Sequence, residues 1–232
     1  MSVDVLSLPR VELEQRTFIT KVYGWMSLAL LITAFTSLVV VSSPQLLTTI
    51  VGNKLVFYGL IIGELVLVGS LAGWVTRMSA STATAVFLAY SVLNGLTLSV
   101  IFLLFTSASI ATTFFITAGT FGAMSVYGYT TQQDLTTVGN LCFMGLIGVI
   151  LASVANWFFN NSSVYWITTY VGILVFVGFT AYDTQKIKRM NVIGNEGSEE
   201  DRKEAIMGAL TLYLDFINLF LLLLRLFGRR RD

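Results

Sequence analysis

The sequence predicts an all-α membrane protein, a seven-transmembrane helical bundle. Three observations carry this. Of 232 residues, 55% are apolar and only 12% are charged, about half the ~25% charged share of a soluble domain. Seven apolar stretches reach or approach the roughly 20 residues that a spanning helix needs. None of them shows the sustained period-2 alternation that a membrane β-barrel requires.

In chain order, the first span runs from Val22 to Val41. It follows a polar segment carrying Arg10, Glu12, Glu14, Arg16 and Lys21, and it is too long and starts too late for a cleaved signal peptide. Residues 1–21 therefore read as an N-terminal tail. The following spans are Leu55 to Trp74, Thr82 to Phe105, Ser109 to Tyr129, Leu141 to Phe159, Trp166 to Tyr182 and Ile206 to Phe227. Residues 22–227 form a single transmembrane domain, and 228–232 a basic C-terminal tail. The only prolines, Pro9 and Pro44, lie outside the spans, so no proline kink is expected within one. Gly119, Gly122 and Ala123, with Gly145, Gly148, Ala152 and Ala155, form small-residue faces that suit close helix approach.

Composition also excludes functions. The 14 basic and 13 acidic residues leave a net charge of +1, which argues against a nucleic-acid partner. There is no histidine, and Cys142 is the one cysteine. Imidazole ligation, an internal disulfide and a cysteine-rich metal centre are ruled out. Any switch must be built from carboxylates, amides, hydroxyls and backbone. Nine Lys and Arg fall on the N-terminal side of the membrane and five on the other, which places the N-terminus in the cytoplasm. Four of those five are C-terminal, at Arg225, Arg229, Arg230 and Arg231. A re-entrant last helix would return them to the cytoplasm, so the side of the C-terminus stays open.

A charge at bilayer depth costs at least about 2.5 kcal/mol, so each ionisable residue in a span needs a reason. Asp215 lies roughly 13 Å along its helix from the start of the last span. It shares an arc of about 100° with Gly208, Thr211, Asn218 and Arg225, while Leu and Phe occupy the opposite side. Such a stripe should face protein or water. Asp183 ends the sixth span in Thr180-Ala181-Tyr182-Asp183-Thr184-Gln185. It reads either as a hydrated helix-end carboxylate near Lys186, Lys188 and Arg189, or as a neighbour of Asp215. Two carboxylates sharing a low-dielectric site titrate as a unit. Arg77, closing the second span, is either a snorkelling anchor or a partner of these aspartates. Glu64 has only aliphatic neighbours one turn away on its own helix, at Leu60, Ile61, Leu67 and Val68. It is either a structural hydrogen-bonding group or a relay for protons or ions. Asn94 with Tyr90, Ser91 and Thr97, and Asn156 with Ser153 and Asn160, read chiefly as interhelical hydrogen-bonding patches.

Ala181-Tyr182-Asp183-Thr184-Gln185-Lys186-Ile187 and Ala209-Leu210-Thr211-Leu212-Tyr213-Leu214-Asp215-Phe216-Ile217-Asn218-Leu219-Phe220 resemble the transmembrane Bax inhibitor motif family, also called the Bax inhibitor-1 family. Glu64-Leu65-Val66-Leu67, Asn94-Gly95 and Thr131-Gln132-Gln133-Asp134-Leu135-Thr136 add to the resemblance, which runs from about Gly24 to Leu226. It implies a C-terminal helix central between two three-helix layers. It further implies a pH-dependent calcium leak in which Asp183 and Asp215 act as sensor and Arg77, whose surroundings match only loosely, as latch partner. A bacterial inner-membrane member is indicated.

The leading expectation is therefore a Ca²⁺ leak set by protonation of Asp183 and Asp215. Those residues could offer Ca²⁺ only weak transit binding, since a tight site takes six to eight oxygens. Glu64, Asn94, Asn218 and Thr211 are candidates for the ion path or for structural polar roles. No cofactor is expected. The alternative is a regulatory membrane protein that modulates a membrane-anchored protease or a stress response through protein contacts. Ion exchange by alternating access fits less well without inverted repeats. An intramembrane protease is disfavoured because Asp215 follows Tyr213-Leu214 and not Gly-x-Gly, so no catalytic residue is assigned. The expected partners are the lipid bilayer, Ca²⁺ and H⁺. The oligomeric state is not determined by these patterns.

Overall fold

The structure, a computed structural model, describes residues 8–190 and 194–231. Residues 1–7 of the expected tail, and Asp232 at the end of the other, lie outside the described residues. Seven helices are long and apolar enough to cross a membrane. Among the described residues no strand occurs, and the sole β feature is an isolated bridge between Phe105 and Arg230.

Helix α1 (Leu8–Ser42) begins well before the apolar run. Its polar first turns contain Glu, Gln, Arg and Lys without Gly, and these are good helix formers. It stops where Ser43 turns extended ahead of Pro44, which opens the short α2 (Pro44–Ile50) at a position that needs no N–H. Asn53 caps α3 (Lys54–Trp74) by accepting from the Leu55 and Val56 amides. A 3-10 turn at Val75–Arg77 follows. Ser79 caps α4 (Ala80–Leu98). The third span, expected to continue to Phe105, breaks after Leu98, where the Ser99 hydroxyl bonds back to the Leu96 carbonyl at 2.6 Å. It resumes as α5 (Ile101–Leu104).

Thr106 caps α6 (Ser107–Thr130). Helix α7 (Thr136–Phe159) ends on Asn160 in the left-handed region, φ 49°. Asn156 accepts from the Asn161 amide at 2.7 Å there, so this polar patch closes a helix end and does not bridge helices. Helices α8 (Ser162–Met190) and α9 (Glu199–Phe227) both extend beyond their apolar runs into polar sequence.

The sequence reads as one transmembrane domain, and packing divides it into two compact units. The first holds the chain up to Leu103 with Ile187–Tyr213, and the second holds Leu104–Lys186 with the chain from Leu214 onward. In the first unit α4 lies directly on α1, because a Cβ at Gly95 would come within 2.6 Å of the Thr33 carbonyl oxygen. Phe18, Val22, Phe87, Leu212 and Tyr213 fill its core. In the second unit α6 meets α8 at Gly128, where a Cβ would collide with the Ala181 carbonyl. Leu219 and Leu223 of α9 pack with Phe176 of α8, and Phe216 meets Phe114 and Phe121 of α6 edge-on.

The small-residue faces are met in part. Gly145 is closely faced by Val175 as expected, but a Cβ at Gly119, Gly122 or Gly148 would meet nothing within 4 Å, whereas Gly128 and Gly139, not singled out, are tightly faced. The most buried span is α9: 67% of its apolar window is inside the protein, against 6% for α3 and 11% for α7. Of its polar stripe, Gly208 and Asp215 are buried, whereas Thr211 and Asn218 are half-buried and Arg225 is exposed, so the stripe as a whole does not face protein as expected.

Candidate functional site: a buried aspartate pair and a polar network

Helices α8 and α9 bring Asp183 and Asp215 together in the second unit, and their side chains are hydrogen-bonded to each other. Both are buried. Carboxylate oxygens only accept, so a hydrogen bond between two carboxyl groups needs a proton on one of them. Asp215 Oδ2 is buried and receives no hydrogen bond from an N–H or hydroxyl donor among the described residues. A buried carboxylate oxygen of this kind has capacity for a proton or cation. Two charged or ionisable neighbours face the pair. Lys186, one turn along α8, acts on Asp183, and Cys142 of α7 lies within electrostatic reach of both aspartates.

The rotation of α8 is held firmly here. Gln185 accepts from the Leu135 amide at 2.9 Å and donates to the Gln133 carbonyl at 2.8 Å. The Tyr182 ring lies against Gly139, where a Cβ would sit 2.6 Å from ring carbon. Among the described residues no three Asp, Glu or Cys side chains converge on one point. Two carboxylates fit passing contact with a divalent cation better than a cage of six to eight oxygens.

Glu64 has partners, contrary to the isolated setting suggested by its own helix. Its Oε1 accepts from the Thr97 hydroxyl at 2.6 Å and its Oε2 from the Asn94 amide at 3.2 Å, both on α4. The Tyr213 hydroxyl donates to Asn94 Oδ1 at 3.1 Å and lies 2.7 Å from the Thr33 hydroxyl. Thr33 in turn lies 2.9 Å from the Ser91 carbonyl. Phe87 and Tyr90 hold the Tyr213 ring edge-on. The chain Glu64, Asn94, Tyr213, Thr33, Ser91 thus links α3, α4, α9 and α1 inside the first unit.

Each hydroxyl along this chain has one proton. With Asn94 donating to Glu64 and Tyr213 donating to Asn94, the Thr33 proton serves either Tyr213 or the Ser91 carbonyl. If Glu64 carries a proton and the Asn94 amide makes a half turn, all four contacts run head to tail. The two arrangements differ by one proton and one amide rotation.

The remaining candidates are placed otherwise. Arg77 sits exposed in the 3-10 turn, with no ion-pair partner among the described residues. The Thr211 hydroxyl and the Asn218 amide bond to their own helix, at the Met207 and Leu214 carbonyls. Arg225 stacks over the Tyr165 ring at 4.7 Å, with Thr169 within 3.4 Å. Cys142 and Gln185 were not singled out as site residues by sequence. Gln185 was visible inside its motif, but no sequence signal marks Cys142.

A family model described as "Inhibitor of apoptosis-promoting Bax1" matches residues 15–232. The chain belongs to the Bax inhibitor-1 family. As a member of it, it is 50% identical over 229 residues to the inner membrane protein YbhL of Escherichia coli K12, covering 98% of this chain and 97% of the relative. It is 43% identical over 230 residues to a Borreliella burgdorferi protein, covering 99% of both. It is 45% identical over 222 residues to a Rickettsia prowazekii protein, covering 94% of this chain and 91% of that one. In this Bax inhibitor-1 family member, the aspartate pair and the Glu64 network both lie within the matched region.

Proposed function

We propose that this protein is a pH-dependent calcium leak of a bacterial inner membrane, with the N-terminus cytoplasmic, in which Asp183 and Asp215 are the proton-sensing pair. The hydrogen bond between the two carboxyl groups carries this reading. Removing the shared proton leaves two like charges in one buried site, and a second proton neutralises both. Each change alters the preferred spacing of α8 and α9. Ca²⁺ is the cargo, meeting the pair only in transit, which suits conduction. Arg77 is the third proposed member of the gate. The name of the 50% identical relative supports the membrane assignment.

The test is Ca²⁺ entry into dye-loaded liposomes containing the purified protein, between about pH 6 and about pH 8. Wild type should show pH-dependent flux, Asp215→Asn should lose that dependence, and Arg77→Ala should shift the profile. Flux unchanged by Asp215→Asn across that range sinks the proposal.

The family description, an inhibitor of another protein, is compatible with a second reading, a regulatory membrane protein acting through contacts with other proteins; a membrane-anchored protease is the partner we propose under it. The charged stretch from Glu196 to Glu204, which leads into α9, is its natural surface, but Glu199 and Asp201 are engaged internally, with the Ala80 amide and with Lys21. In-cell cross-linking that recovers no stable partner would remove it.

A further inference from the structure

We infer that the place where α6 begins and α9 ends is a binding site for the phosphate head group of an anionic phospholipid. The second unit carries a cavity of about 440 Å³ there, lined by Thr106, Ser109, Thr112, Thr113, Phe227 and Arg229. That volume is within the roughly 300–1,000 Å³ range of small-molecule sites. Its polar lining is Thr and Ser residues and Arg229, side-chain types that can donate to a phosphate, and among the described residues it includes no Asp or Glu.

The arginines are held, not trailing. Past α9 the chain folds back on the α5–α6 connection. The Thr106 amide donates to the Arg229 carbonyl at 3.1 Å and the Arg231 amide to the Leu104 carbonyl at 3.0 Å. The Arg229 amide donates to the Ser109 hydroxyl at 2.9 Å. Gly228 permits this turn, because a Cβ there would strike the Phe105 ring at 2.6 Å. Chain ends are poorly ordered unless tied down, and this one is tied down with its basic residues beside a hydroxylated cavity.

Neither Arg229 nor Arg230 has an ion-pair partner among the described residues. An exposed arginine on the cavity wall, with a second on the next residue and the backbone of both tied down, calls for an anion. The position selects which one. The cavity lies at helix ends, where a span meets the head-group region, and the large apolar side chains of Leu104 and Phe227 are exposed beside it. A free anion would make no use of those side chains, whereas an acyl chain would cover them. Basic pockets at span ends are the usual recognition device for acidic head groups.

The full chain in detergent can be tested by native mass spectrometry with phosphatidylglycerol or phosphatidylcholine of identical acyl chains. Both have a phosphodiester, but only phosphatidylglycerol carries net negative charge. Preferential retention of phosphatidylglycerol is expected, reduced by about fivefold for each arginine lost in Arg229→Gln and Arg230→Gln. Ala108→Phe, at an exposed position on the cavity wall, should abolish the preference with both arginines present. It decides the matter if the arginine variants fail to fold. Equal retention of the two lipids by wild type, or a preference untouched by Ala108→Phe, overturns the site. Displacement of phosphatidylglycerol by millimolar inorganic phosphate would make it a site for free anions and overturn the lipid assignment.

Discussion

Asp183 on α8 and Asp215 on α9 are hydrogen-bonded through their carboxyl groups, and Asp215 Oδ2 is buried with no N–H or hydroxyl donor to it among the described residues. A cation that binds both groups has to displace the proton between them. Adding Ca²⁺ to the purified protein in weak buffer should therefore release protons. Proton and Ca²⁺ compete for the same oxygens, so association weakens as pH falls. Asp215→Asn should abolish the release, and a pH electrode reading the same for both proteins would contradict it.

Tyr213 is fully buried and bonds to Asn94 and Thr33. Tyr213→Phe keeps the edge-on contacts with Phe87 and Tyr90 but strands two polar groups. The expected cost is about 1–3 kcal/mol, read as a lower thermal midpoint in detergent. A double-mutant cycle with Asn94→Leu should return a coupling of roughly 0.6–1.7 kcal/mol. Additive effects would show that the two side chains do not interact.

Gly128 and Gly122 lie on the same helix in opposite circumstances. Gly128→Ala forces α6 away from the Ala181 backbone and should cost about 1–3 kcal/mol. Gly122→Ala meets open space and should be neutral or stabilising by about 0.5–1 kcal/mol, through helix propensity alone. Thermal unfolding of the two variants compares them directly.

Asp201 is buried, 3.0 Å from Lys21, and also accepts from the Gly197 amide at 2.9 Å. Asp201→Ala should destabilise by about 1–3 kcal/mol, since an amide and a partly covered ammonium lose their acceptor. Glu196, 3.9 Å from the same lysine and exposed, should matter by no more than about 0.5 kcal/mol when changed to Gln. Equal effects at both positions would show that burial is not what gives this ion pair its weight.

Much of the fold was legible because a spanning helix announces itself by length and apolarity. Asp183, Asp215 and the stripe on α9 were legible for a related reason: polar groups stand out against an apolar background. Glu64 stayed open between a structural hydrogen-bonding group and a relay because neighbours on one helix were the only ones legible. Its partners, Asn94 and Thr97, come from the next span. The small-residue faces were legible only in part, Gly145 being closely faced and Gly119 not, since Gly119 and Gly128 are alike in sequence and differ only in what stands opposite. The break after Leu98 was hidden in a continuous apolar run, and nothing in the pattern placed Cys142 beside the aspartates.

Composition and periodicity by themselves determined that this chain lives in a membrane as seven helices, and which few ionisable groups must be buried with it. Hydrophobic transfer accounts for that, because it sums over twenty residues and tolerates errors of one or two. Only the tertiary structure decided which polar groups meet. A hydrogen bond acts over about 3 Å and in one direction, so the rotation and height of each helix, set by glycine contacts such as Gly128 on Ala181 and by the Gln185 clamp, determine every partnership in the interior.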